Sequence, residues 1–374
     1  MATQLRKIRA DRGWSQTQLV RAIEIHARSH HVEIAATASL NVYVSEWEND
    51  RRAISDKYAA ILRTLLGVTD AELRGNSAHE PEQADGYDEL LARIDSAQGV
   101  SGGLVETFFQ QTELLRTFDR QRGARSIGDQ MQAHLSSLQD ALMFAVLPSA
   151  REPVASALAG AATLAAWQAL DVGSVTRAWQ HYETAKSAAR DAGSTAYLAH
   201  AMGEQAFALL DAGRPLLALE LVREAQAVAD VRVSARLRAW LSAAEAEVSA
   251  HAGEHDACRR AFDRAEQLLP GDEEARDPEM LSIFLNTGHL TRWRGNVLAL
   301  IGDDDAVASL HTALETVDPT FVRAQAGLYC DLAQAHTARG ELDQAADFLR
   351  TARRLANQTG SARQLRRVAR LTTP

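Results

Sequence analysis

The chain has 374 residues, of which 46% are hydrophobic and 24% charged, an ordinary composition for two or three folded domains. No run of about eighteen apolar residues predicts a membrane span, and the N-terminus lacks the apolar segment of a signal peptide. A cytoplasmic protein without a membrane partner is therefore expected. Aromatic residues make up only 6% and alanine is abundant, which favours packed helices over sheets.

The formal charge of −9 is unevenly distributed along the chain. Residues 1–75 contain 11 Lys/Arg and 9 Asp/Glu, so their net charge is +2. The remainder contains 40 − 11 = 29 basic and 49 − 9 = 40 acidic residues, a net charge of −11. A mildly basic N-terminal segment on an acidic body is compatible with DNA binding by that segment alone.

The first two predicted helices lie before residue 24. Leu5 and Ile8 begin an amphipathic helix that ends near Gly13, where glycine suits a C-terminal cap. Ser15 is a natural N-cap for a second helix, and Gln18 completes a capping box with it.

Two more helices are predicted before residue 68. The third covers residues 40–49, because Leu40, Val44 and Trp47 fall on one face at helical spacing. The fourth follows Ser55, which can cap it. Together these segments predict a small helical domain over 1–75.

Three motifs of this domain resemble the Cro/repressor-type helix-turn-helix family, often called XRE: 12–16 (RGWSQ), 44–49 (VSEWEN) and 65–68 (LLGV). The resemblance implies a five-helix domain whose third helix enters the major groove of double-stranded DNA. It implies base-edge contacts by Asn41, Val42 and Glu46, and phosphate contacts by Gln16, Thr17, Tyr43, Arg51 and Arg52. The chemistry is feasible, because asparagine pairs with adenine and glutamate accepts from cytosine.

Two departures from the family pattern leave an alternative open. The connection from Glu24 to Ser39 is longer than the usual turn, and the third helix contains no Lys or Arg. Glu46, Glu48 and Asp50 add negative charge there. The alternative is an adaptor or scaffold whose helix-turn-helix fold no longer binds DNA.

A polar, acidic segment follows the first domain. Residues 76–86 contain proline and glycine and are interpreted as a linker. Apolar residues at helical spacing then predict helices over 87–98, 104–121 and 126–147.

From about residue 155 the sequence repeats itself. Five glycines mark the repeat: Gly173, Gly213, Gly253, Gly302 and Gly340. Mostly small residues recur seven positions before, five after and twelve after each glycine, which lets paired helices approach closely. Tetratricopeptide (TPR) helix hairpins have this packing requirement. We therefore predict an all-α protein in which 87–374 form a TPR-like α-solenoid, clearest over 155–360, with a capping helix at 361–371.

Segments along the whole chain resemble actinobacterial XRE–TPR transcriptional regulators: 118–123 (FDRQRG), 166–173 (AWQALDVG) and 290–295 (LTRWRG). The resemblance implies transcription regulation, with the array as a sensor or as the contact of a homodimer. More distantly, the array is similar to peptide-pheromone-sensing helix-turn-helix–TPR regulators. A peptide, small-molecule or protein effector is therefore expected.

The first helix of each TPR pair lines a concave surface. Counting back from the turn glycines gives the effector-binding candidates Trp167, His200, Phe207, Trp240, Glu247, Arg292, Asn296 and Gln334, with Thr163 and His289 beside them. Aromatic walls hold apolar groups, amides bond a peptide backbone, and arginine takes a carboxylate. The alternative is that the aromatic residues only pack against neighbouring helices.

Several function classes find no support in the sequence. It has no dinucleotide-binding glycine motif, phosphate-binding loop, His-Glu-x-x-His or nucleophile elbow, so we expect neither an enzyme nor a cofactor. Cys258 and Cys330 lack metal-ligand spacing, and no metal site is expected. The arginines of 363–370 are expected to form a solvated cap or a dimer contact, with a second nucleic-acid surface as the weaker alternative.

Overall fold

The computed structural model describes residues 4–30, 32–49, 51–69, 73, 86–98, 102–271, 277, 280 and 283–372. Within these ranges the regular structure is all-helical and contains eighteen α-helices. The chain divides into two compact units, 1–91 and 92–374, called here the head and the TPR body.

The head contains four described helices before residue 69: α1 Gln4–Asp11, α2 Gln16–Ser29, α3 Thr37–Glu48 and α4 Asp56–Leu66. Leu19, Ile23, Leu40 and Leu62 are fully buried and hold these helices together. The predicted capping box is confirmed: the backbone N–H of Gln18 donates to Ser15 Oγ at 3.1 Å, and Gln18 Oε1 accepts from the Ser15 N–H at 2.6 Å.

The connection between α2 and α3 is shorter than predicted. Helix α2 continues to Ser29 because Ala27, one turn after Ile23, is also buried. Helix α3 begins at Thr37, and the connection of 30–36 is held by the Ala35 N–H, which donates to the Tyr58 hydroxyl at 3.0 Å. The prediction of a non-helical connection from residue 24 to 39 was wrong at both ends.

Two other expectations for the head have different outcomes. Ser55 precedes α4, but its side chain makes no capping hydrogen bond. The implied fifth helix falls after Val68, where only Thr69 and Leu73 are described before residue 86. Residues 76–85 of the predicted linker lie outside the described residues.

The TPR body begins with helices that precede the repeats: α5 Gly86–Gln98, which starts in the head, α6 Gly102–Arg122, the 3₁₀ turn Ala124–Ser126 and α7 Gly128–Phe144. Five helix pairs follow: α8 Pro148–Asp171 with α9 Val175–Asp191, α10 Thr195–Asp211 with α11 Pro215–Ala229, α12 Ala235–His251 with α13 His255–Leu268, α14 Thr287–Ile301 with α15 Ala306–Thr316, and α16 Val322–Ala338 with α17 Leu342–Thr359. The last helix is α18 Ala362–Thr372. The predicted TPR-like solenoid is confirmed.

Each predicted turn glycine lies between the two helices of a pair, with φ between 68° and 85°, a conformation that glycine adopts without steric cost. The small residue seven positions earlier is buried in every pair. The fourth pair departs from the pattern on the other side of its turn. There Ala306 and Ala313 are buried, one position before the predicted Val307 and Leu314, and the turn has four residues where the others have three.

Helix α8 is long and apolar enough, by length and composition, to cross a membrane. However, 83% of its most apolar window is buried inside the TPR body, where it packs against α9 and its other neighbours. Core packing therefore accounts for its composition.

The two ends of the TPR body contact each other. Arg323 on α16 pairs with Asp119 on α6 at 2.6 Å and approaches Asp171, the last residue of α8, at 3.7 Å. Ser361, just before α18, donates its hydroxyl to Asp171 at 2.6 Å. The final helices thereby close back onto the first ones.

This closure corrects the expectation of a solvated C-terminal cap. Arg363 pairs with Asp211 at 3.0 Å and Arg367 pairs with Asp331 at 2.5 Å, and both side chains are largely buried. Arg370 remains exposed. Most of the basic face of α18 therefore forms ion pairs within the TPR body, with Asp211 of the second helix pair and Asp331 of the fifth as the partners.

Gly123 is expected to be intolerant of a side chain. Its φ is 82°, and a Cβ there would meet the backbone carbonyl of Thr359, at the end of α17. Gly123→Ala should cost about 1–3 kcal/mol from the clash, in addition to left-handed backbone strain. Urea denaturation followed by circular dichroism measures the loss.

The matched control is Gly193→Ala. Gly193 has φ 62° but nothing within 4 Å of its Cβ position, so it carries the backbone strain without the contact. Equal losses in the two variants would show that the contact between the ends of the body is unimportant for stability.

Candidate functional site

A cavity of about 310 Å³ lies within the TPR body. The first helix of every pair lines it, namely α8, α10, α12, α14 and α16, while the second helices contribute no lining residue. Helices α6 and α18 supply the rest of its wall, with Phe284 and Phe321 from connecting segments. The volume is at the lower end of the range for small-molecule sites, which is about 300–1,000 Å³.

Most of the predicted effector-binding residues meet in this cavity. Those that line it are Trp167, His200, Phe207, Trp240, Glu247, Arg292 and Asn296, together with Thr163 and His289. Gln334 does not line it: its side-chain amide is half-buried and donates to the Ala299 carbonyl at 3.5 Å. Since Ala299 is on α14, the position predicted for Gln334 faces the neighbouring pair instead.

Four aromatic rings form one continuous cluster in the wall. Phe207 lies 6.5 Å from Trp167, 6.4 Å from Trp240 and 6.4 Å from Trp293, measured between ring centroids. Trp240 and Trp293 are 5.8 Å apart. The rings therefore pack against each other, as the alternative interpretation expected, and they also present apolar surface to the cavity.

Most charged groups in the wall are already paired. Besides the pair between Arg323 and Asp119, Asp331 accepts from Arg367 at 2.5 Å and from the Asn296 amide at 2.8 Å. On the opposite side, Arg116 pairs with Glu113 at 3.0 Å. These residues are held by the protein itself.

Arg120 and Arg292 differ from the other arginines of the wall. Neither has a carboxylate within 4 Å among the described residues; Arg120 instead lies over the Phe284 ring at 4.2 Å. Burial lowers the pKa of each guanidinium to about 10. The charges of Arg116, Arg323 and Arg292 also lower the pKa of Arg120, whereas the charge of Asp331 partly offsets burial at Arg292. Among the described residues, the cavity therefore holds two guanidinium groups that no carboxylate contacts directly.

Two other titratable groups of the wall favour their neutral forms. Burial raises the pKa of Glu247, although its carboxylate accepts a hydrogen bond from Trp293 Nε1 at 2.6 Å. Burial lowers the pKa of His289 well below its usual value, helped by the charge of Arg292. Both shifts oppose the charged form of the group that they affect.

Sequence reasoning missed several residues of the wall. Trp293 directly follows Arg292, and both side chains line the cavity. A prediction that included the residues on either side of each concave position of α14 would have identified Trp293. Arg116, Asp119 and Arg120 come from α6, before the repeats. No repeat register could assign them, because they reach the cavity only through closure of the solenoid.

The described residues contain no group of three His, Cys, Asp or Glu that could hold a metal ion. Cys258 and Cys330 are fully buried, and burial raises the pKa of each thiol to about 11. They behave as small apolar side chains.

The predicted DNA-contacting residues lie on or beside α2 and α3 of the head. Thr17, Asn41, Val42 and Arg51 are exposed, Val42 to 52%. The Asn41 amide donates to the Thr37 carbonyl at 2.9 Å, which leaves its oxygen free to accept. Asn41 and Val42 lie in the first half of α3, Thr17 in the first turn of α2, and Arg51 just after the end of α3.

Three further candidates form a small cluster beside α3. Arg52 pairs with Glu46 at 3.2 Å, and its guanidinium lies 3.9 Å over the Tyr43 ring. The positive charge of Arg52 therefore compensates the negative charge of Glu46 and reduces the repulsion between Glu46 and a phosphate backbone.

Gln16, which is itself exposed, contacts the buried carboxylate of Glu48. The Gln16 amide donates to Glu48 at 2.8 Å, and Arg9 donates to the same carboxylate at 2.9 Å. Because the Glu48 side chain is fully buried, it does not add negative charge to the exposed face of α3, contrary to the expectation. Asp50 lies outside the described residues.

No protein-family model and no curated protein matches the chain. Solved structures with a similar fold are TPR-like repeat proteins and regulators. A Rap protein complexed with competence and sporulation factor is 15% identical, with a TM-score of 0.47, and the match covers 92% of this chain and 97% of that chain.

Two further matches are weaker. PlcR from Bacillus thuringiensis, in complex with the peptide PapR7 and DNA, is 9% identical with a TM-score of 0.33 over 99% of this chain and 98% of its own. A Podospora anserina protein of kinesin-light-chain type, with nearly identical TPR-like repeats, is 16% identical with a TM-score of 0.34 over 53% of this chain and 94% of its own. At such low similarity, what these proteins bind does not transfer to this chain. Membership of the XRE family, an actinobacterial origin and a homodimer stay predictions.

Proposed function

We propose that this chain is a sequence-specific DNA-binding transcriptional regulator whose TPR body binds an effector and joins two copies into a homodimer. The observation that carries the proposal is the cavity: every first helix of the repeats contributes to it, and beside an aromatic wall it contains two guanidinium groups that pair with no described carboxylate. A scaffold that binds only through its outer surface does not require such an interior.

The head supplies a surface that is chemically suited to DNA. Asn41 and Val42 are exposed at the start of α3, where an amide can pair with adenine and an aliphatic group can contact the thymine methyl. Thr17 on α2 and Arg51 after α3 are also exposed, and their side chains are suited to contacts with phosphate. In a homodimer, two heads would address half-sites separated by about one helical turn or a multiple of it.

The experiment has two stages. Genomic fragments captured by the purified full-length protein and sequenced identify the preferred site, and fluorescence anisotropy over a salt series then measures affinity for it. Asn41→Ala should weaken specific binding by about 10-fold to 100-fold, because one base contact is worth about 1–3 kcal/mol. Arg51→Ala combined with Arg52→Ala should weaken binding to all sequences and lower the salt slope by about 2.

The control is Arg214→Ala, which removes an exposed arginine of the TPR body. It should leave the affinity and the salt slope unchanged. Absence of any preferred fragment, or equal binding by wild type and the head variants, would contradict DNA recognition by this surface.

The adaptor or scaffold function is the second candidate. It is favoured by the absence of any Lys or Arg on α3 and by the use of Arg52 to neutralise Glu46. A head that copurifies with a partner protein but shows no salt-dependent DNA binding would support it.

A further inference from the structure

The arginines of the cavity wall point to the chemistry of the ligand. Five arginines line the cavity, and three of them have carboxylate partners: Arg116, Arg323 and Arg363. Arg120 and Arg292 have none among the described residues. Two guanidinium groups placed near each other without counterions repel, and a bound anion would remove that repulsion. Guanidinium groups bind a carboxylate through paired hydrogen bonds.

The opposite part of the wall is suited to a flat apolar group. Trp293 joins the two regions, because His289 stacks on it at 6.2 Å and His289 also neighbours Arg292. Phe207 and Trp240 continue the aromatic surface away from the arginines. A ring placed there would gain edge or face contacts with several aromatic side chains.

Two polar atoms in the wall also lack a hydrogen-bond partner within the described protein. They are Asn296 Oδ1 and His200 Nδ1, and the His200 residue is only 3% exposed. Buried polar atoms without a partner are uncommon in folded proteins, and a ligand is one way to satisfy them. Asn296 Oδ1 can accept from an N–H or O–H group of the ligand.

The size of the cavity limits the length of the ligand. A volume of about 310 Å³ suits a small molecule, and α18 closes one side of it through the Arg363 and Arg367 ion pairs. An extended peptide of six residues would span roughly 20 Å. The volume of the cavity therefore favours a compact ligand over a long peptide.

We propose that the cavity binds a small aromatic carboxylate, with its anionic group between Arg120 and Arg292 and its ring against Phe207, Trp240 and Trp293. This inference rests on the proposed effector function of the cavity and is independent of DNA binding by the head. The carboxylate could belong to a free aromatic acid or to the C-terminal residue of a short peptide, and the proposal commits to the free acid.

The test uses the full-length protein and a panel of probes with matched neutral partners. Benzoate, 3-phenylpropionate and indole-3-acetate are titrated beside the corresponding primary amides, and binding is followed by calorimetry and by tryptophan fluorescence. We expect at least one acid to saturate the protein below 10 mM and to bind at least tenfold more tightly than its amide. Arg292→Met should weaken that acid at least tenfold.

Stability without ligand separates a binding role from a structural one. Arg292 contacts no carboxylate among the described residues, so Arg292→Met should keep or raise the melting temperature of the free protein. In the same variant, the acid should no longer raise the melting temperature. The matched control is Arg294→Met, on the same helix but outside the cavity wall, whose guanidinium pairs with Glu266 at 2.7 Å. It should bind the acid within about threefold of wild type.

Three outcomes would overturn the proposal. The first is that no acid in the panel saturates by 10 mM, and the second is that acids and amides bind alike. The third is that a tripeptide ending in phenylalanine, but not its amidated form, binds tenfold more tightly than every free acid, which would assign the site to a peptide terminus. Because each readout is ligand binding, failure here leaves the DNA-binding experiment unaffected.

Discussion

Arg323→Ala is expected to destabilise the TPR body by about 3–5 kcal/mol, because it removes one partner of a buried ion-pair network. The side chains of Asp119 and Asp171 are each only 1% exposed, and Arg323 is the cation that approaches both. Without it, two carboxylates remain buried without a counterion. Since Asp119 is on α6 and Arg323 on α16, the loss also loosens the closure of the solenoid.

Urea denaturation followed by circular dichroism measures this effect. The control is Arg294→Ala, whose pair with Glu266 is about half exposed, 48% and 42%. Exposed pairs contribute about 0–1 kcal/mol, so this variant should unfold close to wild type. A second variant, Arg323→Met with Asp119→Asn and Asp171→Asn, removes the charges together and should recover most of the loss. Equal midpoints for Arg323→Ala and Arg294→Ala would refute the role of the network.

Arg9→Ala is expected to destabilise the head by a similar amount, about 3–5 kcal/mol. The Glu48 side chain is fully buried, and Arg9 contacts both of its carboxylate oxygens, one of them at 2.9 Å. Gln16 would remain as the other hydrogen-bond donor to Glu48 and cannot neutralise its charge. Because a small domain has few kcal/mol to lose, the head should be largely unfolded in this variant.

The same interaction makes the head sensitive to acid. Burial alone would raise the pKa of Glu48, but hydrogen bonds from Arg9 and Gln16 and the Arg9 charge outweigh burial and lower it. A carboxyl group whose pKa is lower in the folded state contributes stability above its unfolded pKa and loses that contribution as pH falls. We therefore expect the contribution of Glu48 to be complete above about pH 5 and to decline as pH falls through the pKa of the folded state.

Hydrogen exchange read by mass spectrometry distinguishes the head from the TPR body. Peptides covering α1 to α3 should lose protection in Arg9→Ala at pH 7, while peptides of the repeats keep theirs. Glu48→Gln is the control for pH: its head should lose less stability between pH 6 and pH 4 than wild type does. Identical acid profiles for the two proteins would show that Glu48 does not determine this sensitivity.

The helices of the head could be predicted because their signals are local. Ser15 and Gln18 lie within one turn of each other, and Leu40, Val44 and Trp47 repeat at helical spacing. The sequence did not indicate that the side chain of Glu48 is buried. An acidic residue on a predicted DNA-contacting helix is expected to face solvent, and only packing of α1 against α3 brings Arg9 close enough to bury it.

The repeats made most of the cavity predictable as well. Fixed spacing from each turn glycine assigns a side chain to the same face in every pair. The spacing therefore predicts that Trp167, Phe207 and Trp240 lie on one surface, and all three line the cavity. Gln334 failed because its pair packs against α14, where the side chain meets the Ala299 carbonyl. Local register gives a direction along one helix and does not fix the angle between neighbouring pairs.

The sequence by itself determined the helical class, the turn glycines and the aromatic lining, since all three depend on spacing within one repeat. Only the tertiary structure decided which charges are compensated. Arg323 and Asp119 lie 204 positions apart, and Ser361 and Asp171 lie 190 apart. Such pairs form because the solenoid curves until its ends meet, and that curvature sums small rotations between successive pairs that no single repeat specifies. Closure pairs Arg323 with Asp119 and Arg363 with Asp211, whereas Arg120 and Arg292 contact no carboxylate among the described residues.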